Sequence, residues 1–485
     1  MSAAEMSFSP SSEHVSSAIC GKVVVIGLGR SGSGAARLLK SLGRSVCLIE
    51  SRSTPPLQDQ AEELRHQGIA VHLGVPLTRE AILGLASPVE RVIVSPGIRW
   101  DHPELEALRS DGVTVQGEVI PAWESSRPVP WIGITGTNGK TTVTHLVHHL
   151  LAHGGLDAPM AGNVGFSAAE VVLQRQQSGV GLPEWMVVEL SSYQIEAAQA
   201  VSPQVGIWTT LTPDHLERHG SLGRYRAIKR SLLERSAVQV LNGDDPDLRG
   251  SADSWDHARW VSAGPRQELA AGVMPVLWIQ NGRIWHQPEG WDTAQDLMAA
   301  DALAMPGEHN RQNMLLAVAA GLEAGLDGPS MEAALRSFPG VPHRLELILE
   351  RGGVAFYNDS KATNFDAALV ALRSLQPPLI VLAGGQAKIG DAQPWVEALC
   401  ESAGGVLLYG EAGDQFATRL HEGGFSGRLQ RVETLDQAVP LAEHWARDLS
   451  CRAVLLSPAC ASFDQYSDFE ARGEHFRQLV LNPPG

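Results

Sequence analysis

The residues most able to do chemistry stand in one string, Gly133-Ile134-Thr135-Gly136-Thr137-Asn138-Gly139-Lys140-Thr141-Thr142. An apolar run leads into it, and a helical pattern opens at Lys140. Glycines let successive backbone N–H groups turn toward one point, and a helix N-terminus adds positive potential there. Lys140 brings a cation to the terminal phosphates of a nucleotide, and Thr141 brings a hydroxyl to Mg2+. The spacing is a compressed form of the usual phosphate loop, because Ile134 stands where the longer motif has its first glycine.

Three other sets carry polar groups at the ends of apolar runs. Gly27-Leu28-Gly29-Arg30-Ser31-Gly32 has the GxGxxG spacing, with Glu50 ending the next apolar run. That is a dinucleotide fingerprint, and its geometry suits any nucleoside diphosphate. Glu189, followed by Ser191-Ser192-Tyr193, and the pair Asp214-His215 place a carboxylate and an imidazole where Mg2+ beside phosphate would need them. The last third holds Asn358-Asp359-Ser360-Lys361-Ala362-Thr363-Asn364 and Ser457-Pro458-Ala459-Cys460-Ala461-Ser462-Phe463-Asp464-Gln465-Tyr466, with Gly384-Gly385 and Lys388 between them. Cys460 has no base near it in sequence, so a nucleophilic role is not expected.

Ligands of α/β folds gather at the carboxyl ends of strands, so these sets call for strands just before them. Strands are expected over 22–26, 45–49, 91–94, 131–135, 186–190, 205–211, 238–241, 354–357, 379–382, 405–409 and 453–456. Helical patterns fall between them, over about 32–42, 140–153, 225–235, 310–324 and 473–481. The segment 267–293, rich in Gly and Trp, is expected to form a small β-insertion. The alternation predicts an α/β protein with mainly parallel sheets. Three consecutive α/β domains are expected over 19–118, 119–340 and 341–485, after a disordered tail at 1–18.

At 485 residues the chain exceeds what one hydrophobic core holds. Its 44% hydrophobic and 19% charged residues are those of a soluble globular protein. A net charge of −16 argues against a sequence-blind nucleic-acid binder. The five cysteines are scattered and show no CxxC or zinc spacing, which points to a reducing, cytoplasmic compartment. No run approaches the roughly 20 apolar residues of a membrane span, and the N-terminus lacks the basic and apolar segments of a signal peptide.

Together the strings resemble the Mur ligases, ATP-dependent amide-forming enzymes of peptidoglycan synthesis, from about residue 22 to the C-terminus. The strings at Asp359–Asn364 and Ser457–Ser462 are similar to those of the branch that adds D-glutamate to UDP-N-acetylmuramoyl-L-alanine. The Asp-Asn-Pro-Arg-type string of members that add diaminopimelate or lysine is not found. The resemblance implies a Rossmann-like UDP-binding domain, a central P-loop-type ATPase domain and a C-terminal Rossmann-like domain, acting as a monomer. It implies that Arg30, Ser31, Glu50, Ser51 and Arg52 contact the uridine diphosphate and that Asn163 contacts the substrate diphosphate or sugar. Gly136, Thr137, Asn138, Gly139, Lys140, Thr141, Thr142, Asn310, Asn313, Arg344, Asp359 and Lys361 would bind ATP. Thr141, Glu189, His215 and a carbamoylated Lys229 would hold Mg2+, two ions being expected. Thr363, Lys388, Ser462 and Phe469 would hold D-glutamate. The substrate carboxylate would take the γ-phosphate of ATP, with Lys140, His215, Lys229 and Arg344 as the catalytic set, and the amine would attack the acyl phosphate. A nicotinamide oxidoreductase built on the Gly27 turn, and a non-catalytic nucleotide-binding regulator, stand as alternatives.

Overall fold

Apolar runs closed by glycine turns become parallel strands here, because both faces of each strand are covered and neither face needs polar residues. A computed structural model describes residues 22–85, 88–269, 272–288, 290–387 and 390–482. The expected tail and Lys388 lie outside the described residues. Among the described residues the fold is mixed α/β with three sheets, one in each of three α/β domains. By packing, the chain divides into two compact units, each assembled from non-contiguous segments. The first takes Met1–Trp131, Pro159–Gln204 and His215–Arg235, and the second Ile132–Ala158, Val205–Asp214 and Ser236–Gly485. The central stretch 119–340 contributes to both.

In the first unit a five-stranded parallel sheet runs in the order Ala70–Leu73, Val46–Glu50, Lys22–Ile26, Val89–Val94, Thr114–Gly117. The chain leaves Lys22–Ile26 first toward Val46–Glu50 and later returns on its other side at Val89–Val94. That reversal of direction opens a crevice at the carboxyl end of the first strand, where the Gly27 turn stands. Val23, Val24 and Val25 are fully buried. Elsewhere in this unit Met160–Gly162 pairs in parallel with Met186–Glu189, setting Gly162 opposite Glu189.

In the second unit strands follow in the order Gln295–Ala299, Arg283–His286, Leu277–Gln280, Arg259–Ser262, Val238–Asn242, Val205–Trp208, Trp131–Thr135. The segment expected to be a β-insertion folds as a hairpin, Leu277–Gln280 against Arg283–His286, turned at Asn281-Gly282 with both φ positive. It prolongs the sheet and is followed by the antiparallel strand Gln295–Ala299. The strand expected over 205–211 stops at Trp208, because the next residues leave the ladder to hold the neighbouring glycine turn. A second sheet of this unit has the order Glu346–Arg351, Val354–Asn358, Ala453–Leu456, Leu379–Gly384, Ala403–Tyr409, Arg428–Arg431, parallel except for its first pair. Its last helix, Phe469–Leu481, starts earlier than expected because the Asp468 side chain caps it, accepting the Ala471 N–H at 2.7 Å.

Gly384 ends a central strand at φ +138°, and a Cβ there would stand 1.9 Å from the Tyr409 carbonyl oxygen. Neither the conformation nor the neighbouring backbone accommodates a side chain. Gly384→Ala is expected to destabilise the protein by roughly 2 kcal/mol or more. Urea unfolding checks this as a lower midpoint at unchanged slope.

Candidate active site

The turn at 136–139 has a shape only glycine permits. Gly136 lies at φ +148°, with an imagined Cβ 1.9 Å from Thr209 Oγ1, and Gly139 at φ +83°, with a Cβ 2.6 Å from Asn313 Oδ1. Residues just past the strand Val205–Trp208 brace it. The Thr137 N–H donates to Thr210 O at 2.8 Å, and the Asn138 N–H to Thr210 Oγ1 at 2.9 Å. Thr209 Oγ1 donates to Asn138 O, and Thr137 Oγ1 to Thr212 O at 3.0 Å. The parallel pairing of Trp131–Thr135 with Val205–Trp208, Thr135 opposite Trp208, delivers these threonines. Lys140, the first residue of the helix Lys140–His153, folds its ammonium over the turn and donates to Gly136 O at 2.9 Å and Thr137 O at 2.8 Å.

Two more cations reach the same first helical turn. Lys361 Nζ donates to Thr141 Oγ1 at 2.8 Å, and Arg344 Nη1 to Thr142 Oγ1 at 3.4 Å. Asn310 and Asn313, both buried on the helix Glu308–Glu323, face the turn and bond each other at 3.3 Å. Asn138, Asn310, Asn313, Arg344, Asp359 and Lys361 line one cleft, with apolar sides from Leu345, Ala362 and Val370. His309 lines it too and is absent from the sequence reading. Burial, then the Arg344 charge, pushes its imidazole down to about 4, so it is neutral at pH 7.

The strings at 358–364 and 457–466 meet because their strands are neighbours, Asn358 opposite Leu456. Ser457 Oγ donates to Asp359 Oδ2 at 2.8 Å, and Ser360 Oγ to Phe469 O at 2.8 Å. Gly384-Gly385 joins them through Gly384 N–H to Pro458 O at 2.9 Å and the paired bonds of Gln386 with Ala461. Phe469 lies with its ring centroid 5.3 Å from Lys361 Nζ. Ser462 is buried in the same cluster of strand ends, and the Thr363 N–H donates to Lys361 O at 2.9 Å. Arg472 ties the strings together, and sequence reasoning passed over it because a helical arginine usually reads as surface. It is fully buried. Nε donates to Ser360 Oγ at 2.9 Å, Nη2 to Ser360 O at 2.8 Å and Cys460 O at 3.1 Å, and Nη1 to Ala461 O at 3.3 Å.

In the first unit, Glu50 holds the Gly27 turn. Its carboxylate accepts the Leu28 N–H at 3.0 Å, and the Arg52 N–H and Nε at 3.1 Å each. Burial works to raise its pKa, but these donors outweigh it and hold the carboxyl below its ordinary range. Arg30, Ser31, Glu50, Ser51 and Arg52 line one cleft with Ser95–Ile98. Gly32 is obligatory here, since a Cβ would stand 2.1 Å from Gly27 O.

The expected metal ligands of this unit differ in setting. Glu189 is 1% exposed, and Asn163 Nδ2 donates to its Oε1 at 2.9 Å, a pairing set by the adjacent strands. His215 is exposed at φ +53°, its ring 5.1 Å from that of Tyr193. Lys229, which helical spacing alone places on the surface, is 1% exposed on Leu222–Glu234, its Nζ 4.5 Å from the Tyr225 ring centroid. His219 is also buried, 2.9 Å from Ser192 Oγ, between the rings of Tyr193 and Tyr225. Burial, then the His215 charge, pushes it down to about 4. Among the described residues, no group of three or more His, Cys, Asp or Glu gathers at metal-holding distances.

Comparison with known proteins agrees with this layout. The family model for the Mur ligase MurD-like N-terminal domain matches residues 21–117, and that for the Mur ligase middle domain matches 134–321. Over 460 residues, 95% of this chain and 98% of the relative, the chain is 53% identical to the UDP-N-acetylmuramoylalanine--D-glutamate ligase of Prochlorococcus marinus (strain MIT 9313). The chain belongs to the Mur ligase family. This Mur ligase is also 45% identical to the same-named ligase of Thermosynechococcus vestitus, over 95% of this chain and 99% of that one. In fold it is similar to the UDP-N-acetylmuramate-alanine ligase of Thermotoga maritima, with TM-score 0.58 at 19% identity, covering 96% of this chain and all of the other. Family membership displaces the nicotinamide and regulator readings, and the Gly27 turn is that of a Mur ligase N-terminal domain.

Two expectations follow from the buried groups of this Mur ligase. A lysine cannot span the four acceptors that Arg472 serves. Arg472→Lys is expected to lose about 3 kcal/mol of stability, read by denaturant melts. Burial pushes Asp359 up to about 7 from its ordinary 3.8, against the lowering effects of Ser457, Arg344 and the Leu345 N–H. The native carboxyl then holds a proton that the unfolded chain releases above about pH 4, so stability falls as pH rises from about 4 to about 7. Asp359→Asn is expected to flatten that fall, worth roughly 2–4 kcal/mol, in melts taken across the window.

Proposed function

We propose that this Mur ligase joins D-glutamate to UDP-N-acetylmuramoyl-L-alanine, consuming ATP and releasing ADP and phosphate through an acyl-phosphate intermediate. The relatives that share about half its residues along nearly its whole length carry the name of that activity. The observation that carries the ATP end is the convergence of Lys140, Lys361 and Arg344 on the first turn of the helix Lys140–His153.

A carboxylate is a poor acylating agent because its leaving group would be oxide. Its oxygen attacks the γ-phosphate in line, ADP leaves, and the oxide becomes phosphate. Two anions must approach for this, and Lys140, Lys361 and Arg344 offset their repulsion while the positive N-terminal end of the helix Lys140–His153 faces the phosphates. Asn310, Asn313 and Asp359 hold the nucleoside. The uncharged amine of D-glutamate then attacks the acyl carbon, phosphate leaves with its bonding pair, and the nitrogen releases a proton. Thr363, Lys388, Ser462 and Phe469 hold D-glutamate, the lysine and the hydroxyls suiting its carboxylates. Arg30, Ser31, Glu50, Ser51, Arg52 and Asn163 hold the UDP substrate.

Mg2+ would be held by Thr141, Glu189, His215 and a carbamoylated Lys229, supplying charge neutralisation at the phosphates. Their donor types suit it, a carboxylate, a hydroxyl and a carbamate being the oxygen donors that Mg2+ prefers. Glu189 and His215 are short of a complete set by themselves, and burial of Lys229 suits a lysine that exchanges its charge for a carbamate. The domain bounds 19–118, 119–340 and 341–485, a cytoplasmic location and a monomeric state belong to the same reading. Among the described residues no helix is long and apolar enough to cross a membrane.

Phosphate release tests the reading, measured with ATP, Mg2+, bicarbonate, UDP-N-acetylmuramoyl-L-alanine and a choice of amines. Release is expected with D-glutamate and not with L-glutamate, L-lysine or meso-diaminopimelate, together with a UDP-linked product of the added mass. Release with another amine overturns the acceptor, and release with none overturns the ligase. Lys140→Ala is expected to lower kcat by at least about 100-fold.

A further inference from the structure

The string at 457–466 ends in residues that the proposed chemistry leaves unused. Ser462 opens a tight turn there, its carbonyl accepting the Gln465 N–H at 3.1 Å and the Tyr466 N–H at 2.8 Å. Three side chains of that turn reach other elements. Asp464 Oδ2 accepts the Glu411 N–H at 3.1 Å, and Gln465 Nε2 donates to Glu433 O at 2.8 Å, both in exposed positions. The third tie is half-buried. The Tyr466 hydroxyl lies 2.8 Å from His475 Nδ1, on the helix Phe469–Leu481.

That helix grips the turn on both sides of Ser462. Arg472 donates to the Cys460 and Ala461 carbonyls just before it, and His475 meets Tyr466 just after it. Phe469, Arg472 and His475 stand three residues apart, so each neighbours the next on the helix surface. His475 Nε2 lies 3.4 Å from Oδ1 of Asp436, in the first turn of the helix Leu435–Asp448. A carboxylate there favours the proton on Nε2 and leaves Nδ1 to accept. Burial, then the Asp436 charge, pushes the Tyr466 phenol up to about 12, so its O–H is intact near neutrality and donates. The Tyr466 side chain packs against the apolar cluster that holds Leu435, Val439 and Phe476, so phenylalanine in its place keeps the packing and removes the bond. Ser462 is buried, and a hydroxyl on so short a side chain is aimed by its backbone. Tyr466, which bonds the Ser462 carbonyl through its amide, therefore bears on where that hydroxyl points.

We propose that Tyr466 and His475 are positioning residues for the amino-acid acceptor, their mutual bond fixing the turn that presents the Ser462 hydroxyl to a carboxylate. The role rests on the proposed function in taking Ser462 as a D-glutamate contact.

Steady-state phosphate release by the full chain tests it, with D-glutamate varied at saturating ATP and UDP-N-acetylmuramoyl-L-alanine. Tyr466→Phe and His475→Ala are each expected to raise KM for D-glutamate about fivefold, with kcat within about twofold of the wild type and KM for ATP unmoved. The two changes together are expected to raise it no further than either alone, because they break one bond. His475→Asn is expected to keep the wild-type KM, since its amide oxygen accepts the phenol in place of Nδ1. A merely structural role would lower the denaturation midpoint and kcat and leave KM for D-glutamate in place, which overturns the proposal. So do additive effects in the double variant, or a KM raised equally by His475→Asn and His475→Ala. If Tyr466→Phe does not fold, the two His475 variants decide alone. A wild type that releases no phosphate with D-glutamate overturns the proposed function and the positioning role with it. Wild-type turnover with an unmoved KM in the variants sinks the positioning role alone.

Discussion

Backbone N–H and C=O groups that leave a parallel sheet at its carboxyl edge have lost their ladder partners, and where the loop is buried they must find others. Every part of the candidate site answers that constraint. The turn at 136–139 takes its partners from Thr209, Thr210 and Thr212. The turn at 27–32 takes the Glu50 carboxylate. The strings of the C-terminal sheet take theirs in large part from Arg472, which supplies a fixed fork of donors to the Ser360, Cys460 and Ala461 carbonyls. Groups held this way are preorganised, so binding a phosphate or a carboxylate requires little further ordering.

The same constraint sorts the buried carboxyls by their donors. Glu50 receives two backbone N–H groups and a guanidinium and stays below its ordinary range despite burial. Asp359 receives one hydroxyl and one N–H and is pushed up to about 7, because desolvation there exceeds what its donors return. The number and charge of the donors, more than depth alone, decide the charge state. Asp359 lies beside a cleft already crowded with Lys361 and Arg344, so its protonation sets part of the charge that a polyphosphate meets.

Shortening the phosphate loop has a structural counterpart. With fewer residues between strand and helix, the turn cannot satisfy itself, and the strand alongside must end early to supply threonines. Asn242 extends the bracing, donating to Thr209 O at 2.9 Å and to Gln312 Oε1 at 3.1 Å, and so links the turn to the helix that carries Asn310 and Asn313. The loop is therefore held by two neighbouring strands and a helix that are distant from one another in sequence.

Local chemistry was legible without coordinates. Glycines at required positive φ, a lysine opening a helix and polar strings ending apolar runs each occupy a window of about ten residues, and their meaning does not depend on the rest of the chain. The alternation of strands and helices, and hence the α/β class, is local in the same way. Boundaries set by single side chains, such as the Asp468 cap, were less visible because a polar residue before a helix reads equally well as loop. Sheet order lies beyond any local window, since it sets which strand ends become neighbours. It brought Asn163 to Glu189, Thr209 to Asn138 and Ser360 to Arg472, and it buried Lys229, which helical spacing alone assigns to solvent. Sequence alone determined which residues have the chemistry, because that follows from side-chain type and local backbone. Tertiary structure alone decided which of them act on one another and in what charge state, because hydrogen bonds and desolvation depend on distances between segments far apart in the chain.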